Sequence, residues 1–244
     1  MVMESIWLLA AAVLLVALLY ASVGHAGASG YIAVMTLFGM APAEIRPTAL
    51  TLNILVACLG TWQFWRAGRF SWALFWPFAV LAVPMAFVGG YLNLPAQVFK
   101  VLIGLVLLFS AVQLVRRPLA EAEPTPPSLP VSLGAGAGIG LLSGLTGTGG
   151  GIFLTPLLIL RGWARSGTAA GVSAPFILVN SMAGLAGNVS ATQHLPGFIL
   201  PLVGAVLVGG FIGAHLGSHR LPQGAIKRVL AVVLVIAGAK LLFA

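Results

Sequence analysis

The sequence predicts an all-α membrane protein built from two inverted repeats of about five hydrophobic segments each, with a short glycine-broken helix in each repeat. Three observations carry this. Only 7% of the 244 residues are charged while 60% are apolar, against about 25% charged in a typical soluble chain. Mean hydropathy is +1.09, so the solvent around most of the chain must be lipid. Apolar runs near the roughly 20 residues needed to cross a bilayer recur along the whole length, and the order of features in the first half returns in the second.

The runs fall at 5–23, 29–40, 48–65, 71–91 and 96–115, then at 131–145, 150–160, 168–189, 196–217 and 225–243. Those at 29–40 and 150–160 are too short for a straight crossing, and each follows dense glycine. Arg116–Pro130, with five of the 15 prolines and two of the four acids, reads as a linker. The expected organisation is a first transmembrane repeat over 1–115, a cytoplasmic linker over 116–130 and a second, inverted repeat over 131–244. Met1–Leu19 has no basic leader or small-residue cleavage site and reads as a retained membrane segment.

The repeat is visible residue by residue. A shift of 120 puts Gly24, Gly27, Gly30, Ile32, Leu37, Thr48 and Ala49 on Gly144, Gly147, Gly150, Ile152, Leu157, Thr168 and Ala169. A shift of 127 later puts Leu94, Pro95 and Lys100 on Leu221, Pro222 and Lys227. Five segments per half is an odd number, so the second half should be inverted. With the linker inside, nine of the 12 basic residues fall on the cytoplasmic side, leaving Arg46, Lys100 and Lys240 outside. A parallel arrangement would place only five inside, so the positive-inside rule favours inversion, with both termini outside.

Composition also excludes. Aspartate is absent and the glutamates are Glu4, Glu44, Glu121 and Glu123, which argues against carboxylate catalysis and carboxylate-rich metal sites. The net charge of +8 is scattered between apolar runs and is no nucleic-acid footprint. Cys58, the single cysteine, rules out an internal disulfide and a cysteine metal cluster. No cofactor is implied.

The informative stretches are Ser22–Tyr31 (SVGHAGASGY) and Ser143–Phe153 (SGLTGTGGGIF). Glycine and unpaired backbone inside a membrane segment are tolerated where protein or a water-lined cavity surrounds them. Each run is followed at once by a short apolar helix, whose start presents unpaired N–H groups and the positive end of its dipole. Gly24, Gly27, Gly30, Gly147, Gly149 and Gly150 permit the backbone turns that make consecutive amides an anion nest. Ser29, Thr146 and Thr148 add neutral hydroxyl donors, with Ser22 and Ser143 beside them. Asn53, its shift counterpart Ser173, and Asn180 complete a candidate polar shell. His25, whose counterpart is Leu145, is the only ionisable side chain in the first cluster, placed to donate to an anion or carry a coupled proton. Inverted repeats would bring two such nests to one site near the midplane, the usual construction in secondary transporters.

The two clusters, the stretch Ser143–Pro156, the segment Ser173–Gly187 and the proline-rich linker resemble the sulfite exporter TauE/SafE family of bacterial membrane permeases. The resemblance spans nearly the whole chain. It implies a multi-pass protein of the bacterial inner membrane that moves small sulfur-containing anions such as sulfite, thiosulfate or organosulfonates. The first cluster departs from an all-glycine pattern at Ala26, Ala28 and Ser29, which bears on the substrate more than on the fold. The membrane potential would drive a monoanion outward, so export is the expected direction. Oligomeric state is left open between monomer and homodimer.

Two other readings exist. GASG (Gly27–Gly30) and AHLG (Ala214–Gly217) resemble the motifs of rhomboid intramembrane proteases, with Ser29 as nucleophile and His215 as base. Against this, the motifs stand 186 residues apart in different repeats. The counterpart of Ser29 is Gly149, and no second histidine–asparagine pair offers an oxyanion hole. A cation-coupled permease for another small solute would need intramembrane carboxylates, which the chain lacks.

Overall fold

The computed structural model describes residues 2–22, 26–115, 123–192, 199–217 and 223–243. Among these, the regular elements are ten α-helices: α1 (Val2–Ser22), α2 (Ala28–Leu37), α3 (Pro42–Arg66), α4 (Trp72–Tyr91), α5 (Ala96–Val115), α6 (Leu129–Thr146), α7 (Gly151–Leu160), α8 (Ser166–Thr192), α9 (Ile199–Gly217) and α10 (Gln223–Phe243). Each expected apolar run is a helix, because in lipid a backbone must satisfy its own hydrogen bonds. Trp72–Tyr91, Leu129–Thr146 and Gly167–Thr192 are long and apolar enough to cross a membrane by length and composition. The short elements α2 and α7 have ten residues each, about 15 Å at 1.5 Å per residue, or half of a hydrocarbon core. Large apolar side chains point outward along the helices, among them Trp7, Leu15, Val80, Leu105, Phe211 and Ile236. A water-soluble protein does not expose so many together; here they face lipid.

The helices gather into two compact units that interleave the sequence halves. The first contains Met1–Val56, Leu94–Arg116 and Leu195–Ala244. In it α1 and α9 run parallel, with Gly209 seated on the Leu14 carbonyl and Gly213 on the Leu18 carbonyl. Helices α5 and α10 run antiparallel, Gly104 lying against Leu242 and the Gly238 carbonyl. The core of this unit includes Val13, Tyr20, Tyr31, Met35, Leu107 and Leu202. Near the end of α10, the Lys240 ammonium donates to the carbonyls of Thr36 and Leu37, both at 3.2 Å.

The second unit contains Ala57–Asn93 and Arg117–His194. Here α4 and α6 run parallel, with Gly136, Gly140 and Gly144 seated on the carbonyls of Phe78, Ala82 and Ala86. This is a small-residue repeat at every fourth position, which lets membrane helices approach closely without a hydrophobic drive between them. Helix α8 lies along α4, Gly171 against Arg69 at one end and Gly90 against Gly184 at the other. Phe78, Leu154, Leu158, Val172 and Phe176 form the core. One end of this unit carries Arg66, stacked on Trp62 at 4.9 Å, and the ring pair Trp65–Phe70 at 5.0 Å. At the same end are Arg69, near Gly167, and the linker, whose Thr125 N–H donates to the Gly162 carbonyl at 3.0 Å. Arginine and tryptophan together mark a membrane–water interface.

Each unit therefore holds one parallel, tightly apposed pair with a helix from each half of the sequence.

Candidate functional site

Each unit contains one glycine break that opens a ten-residue helix, buried for α2 and partly buried for α7. In the first unit Gly27 caps α2 in the left-handed region, φ 89°, a conformation glycine adopts without steric cost. The first bond of the helix is Tyr31 N–H to the Gly27 carbonyl at 3.0 Å. The amides of Ala28, Ser29 and Gly30 precede it, so the helix ladder supplies them no acceptor. Residues Ala28 to Thr36 are all buried. The Ser29 hydroxyl pairs with the Tyr20 hydroxyl at 2.9 Å. The Tyr31 ring closes over Gly27, its oxygen 2.8 Å from where a β-carbon would stand, and Val16 and Tyr20 fill the same space at Gly30. Gly27 and Gly30 thus admit aromatic rings as well as shaping the turn. The Tyr31 hydroxyl is buried with no partner.

Asn53, on α3, is completely buried, and neither its amide nitrogen nor its oxygen has a partner. The hydroxyls of Thr36 and Thr48 are in the same condition. Gly24 and His25 lie outside the described residues.

The second break is more elaborate. Helix α6 ends at Thr146, and Gly147, Gly149 and Gly150 take φ values of 80°, 73° and 81°. Three left-handed residues within four positions leave Thr148 between reversals of the chain, the local pattern of an amide nest. The Gly147 N–H donates to the Ser143 carbonyl at 2.8 Å, and α7 starts with Phe153 and Leu154 donating to the Gly150 carbonyl at 3.1 and 3.0 Å. Thr146 donates its hydroxyl to the Leu142 carbonyl at 2.6 Å and lies 2.9 Å from the Thr148 hydroxyl. Ser143, beside Gly150, has a buried hydroxyl with no partner.

Helix α8 supplies the rest. Gly151 abuts Ile177, and the Thr155 hydroxyl donates to Ser173 at 2.8 Å, so α7 and α8 run antiparallel. Walking back from Gly151 into the break therefore advances along α8 from Ile177 to Asn180 and Ser181. Asn180 donates its Nδ2 to the Phe176 carbonyl at 2.9 Å, while its Oδ1 and the Ser181 hydroxyl are buried and unmet.

The sequence-predicted residues thus form two sets: Gly27, Ser29, Gly30 and Asn53 belong to the first unit, and Thr146, Gly147, Thr148, Gly149, Gly150, Ser173 and Asn180 to the second. Sequence reasoning missed Tyr20, Tyr31 and Ser181. Two of the chain's three tyrosines flank the first cluster, a signal available in the composition. Arg46, counted by the sequence only as an outside charge, is buried on α3. For the rhomboid pairing, Ser29 bonds Tyr20, and the His215 side chain lies outside the described residues.

Over residues 9–241 the chain matches the family described as sulfite exporter TauE/SafE. It belongs to that family. A relative from Sinorhizobium fredii (strain NBRC 101917 / NGR234), named "Probable membrane transporter protein y4hK", is 42% identical over 240 residues, spanning 96% of this chain and 97% of its own. No solved structure matches. As a TauE/SafE member, the chain is a multi-pass membrane transporter.

Proposed function

We propose that this TauE/SafE protein exports small sulfur-containing anions (sulfite, thiosulfate or an organosulfonate) by exposing donors at its two glycine breaks to each side of the membrane in turn. One observation carries the reading: among the described residues the buried side chains of Tyr31, Asn53, Ser143, Asn180 and Ser181 hold unmet hydroxyl or amide groups, and none of the described buried side chains is a carboxylate. Fixed dipoles and neutral donors suit an anion and offer a cation little. Binding through such donors is modest beside a buried arginine clamp, which favours release.

The inside-negative potential is worth about 2.3 kcal/mol per charge per 100 mV, enough to drive a monoanion outward with no coupling ion. The basic, tryptophan-bearing end of the second unit, which carries the linker, supports a cytoplasmic linker in the inner membrane. Radiolabelled sulfite flux in proteoliposomes under an imposed potential tests the proposal. Electrogenic movement that follows the potential is the expected result; no sulfite or sulfonate flux at any potential removes it.

A further inference from the structure

The hydrogen-bonding capacity left over at the breaks has a sign. A fully deprotonated oxyanion offers only acceptors, so a site made for one should present only donors. The second break does not. The Asn180 amide nitrogen is given to the Phe176 carbonyl at 2.9 Å. Turning the amide over would set its oxygen against a carbonyl that can only accept, so this orientation is fixed by its partner. What Asn180 has left is its second amide N–H and Oδ1, the latter an acceptor without a partner on a completely buried side chain. It stands on α8 one turn past Phe176 and Ile177, which meet Gly150 and Gly151 at the start of α7. Asn53, in the other unit, likewise has an unmet acceptor beside its unmet donor. An unmet buried acceptor costs free energy that a guest recovers only by bringing a proton to it.

We infer that the transported anion carries its own hydrogen-bond donor, and that Asn180 selects for it. Hydrogen sulfite and hydroxy- or amino-alkanesulfonates qualify; sulfite dianion, thiosulfate and sulfate do not. The amides of the break and the Ser143 hydroxyl, which is unmet, take the acceptor oxygens, and Asn180 Oδ1 takes the guest's O–H or N–H. This deepens the proposed function and rests on it.

The test uses the full chain in proteoliposomes and two monoanions of similar size, 2-hydroxyethanesulfonate and propane-1-sulfonate, as competitors of labelled sulfite flux. The hydroxylated compound is expected to compete about ten-fold better or more, the ratio an unmet buried acceptor imposes. Asn180→Leu should erase that preference by weakening the hydroxylated competitor. Sulfite flux at fixed total concentration should fall as rising pH strips the proton from hydrogen sulfite. Equal competition in the native chain, or flux that rises with pH, overturns the inference and leaves anion export standing. Absence of any anion flux removes both. The native comparison decides even where Asn180→Leu fails to fold.

Discussion

Gly144 packs so closely on Ala86 that a β-carbon added to the glycine would run into the alanine's carbonyl oxygen. Gly140 bears the same relation to Ala82, and Gly136 to Phe78. The seam between α4 and α6 is therefore backbone against backbone, and a larger residue must push the helices apart. Gly140→Leu should destabilise by about 1–3 kcal/mol or more, the range for overpacking, read as a lower unfolding temperature in detergent. Gly134 and Gly138 lie on the same helix with nothing within 4 Å of the β-carbon position. Their alanine variants should be neutral or gain up to about 1 kcal/mol from helix propensity. Equal losses at all three positions would contradict this register.

Much of the architecture was readable because lipid imposes a simple grammar. Apolar length gives the helices and glycine density the breaks; the short runs at 29–40 and 150–160 became α2 and α7 with shifts of a few residues. Helix partners were not readable. Gly136, Gly140 and Gly144 announce a close contact, but a glycine has no side chain to name what it meets, so the pairing of α6 with α4 had to come from coordinates. The breaks were legible as glycine, yet their difference was not. Gly27 and Gly30 leave room for Tyr20, Tyr31 and Val16, while Gly147, Gly149 and Gly150 all turn left-handed. Asn180 could be picked as polar, but which of its two amide atoms is left unmet depends on the Phe176 carbonyl.

Tyr20 and Tyr31 separate a structural from a functional hydroxyl. Tyr20→Phe removes the 2.9 Å bond to Ser29 and strands a buried hydroxyl, so it should cost about 1 kcal/mol in stability. Tyr31→Phe deletes an oxygen that bonds nothing, so stability should hold or rise slightly. If that oxygen serves the guest, Tyr31→Phe will instead lower sulfite flux. Paired melting and flux measurements on the two variants check this; a flux unchanged in Tyr31→Phe would take Tyr31 out of the site.

Ser29→Ala divides transport from intramembrane proteolysis. In a permease the serine is one donor among several, so flux should persist at a reduced level, with stability lower by about 1 kcal/mol for the stranded Tyr20 hydroxyl. A serine protease would lose all activity with its nucleophile. Flux assayed beside cleavage of a fluorescent transmembrane peptide measures both. Native cleavage that vanishes in Ser29→Ala would displace the transport reading of this cluster.

Lys240 ties down the far end of the helix that begins at the first break. Its ammonium lies 3.2 Å from both the Thr36 and Leu37 carbonyls, groups that a helix C-terminus leaves without intrahelical donors. A cation there also opposes the negative end of the helix dipole, an effect of about 0.3–1 kcal/mol at exposed positions. Lys240 is itself exposed, so Lys240→Met should cost little global stability. The loss should concentrate in α2, because Thr36 and Leu37 end a helix too short to be stable alone. Hydrogen exchange should therefore quicken in the last turn of α2 in Lys240→Met and stay near native in Lys240→Arg, which keeps a donor in reach. With α2 less firmly held, the amides of Ala28, Ser29 and Gly30 would be presented less uniformly, so apparent affinity for sulfite should weaken more than the maximal rate. Exchange in α2 that is unchanged by Lys240→Met would show that the α10 contact does not hold this helix in place.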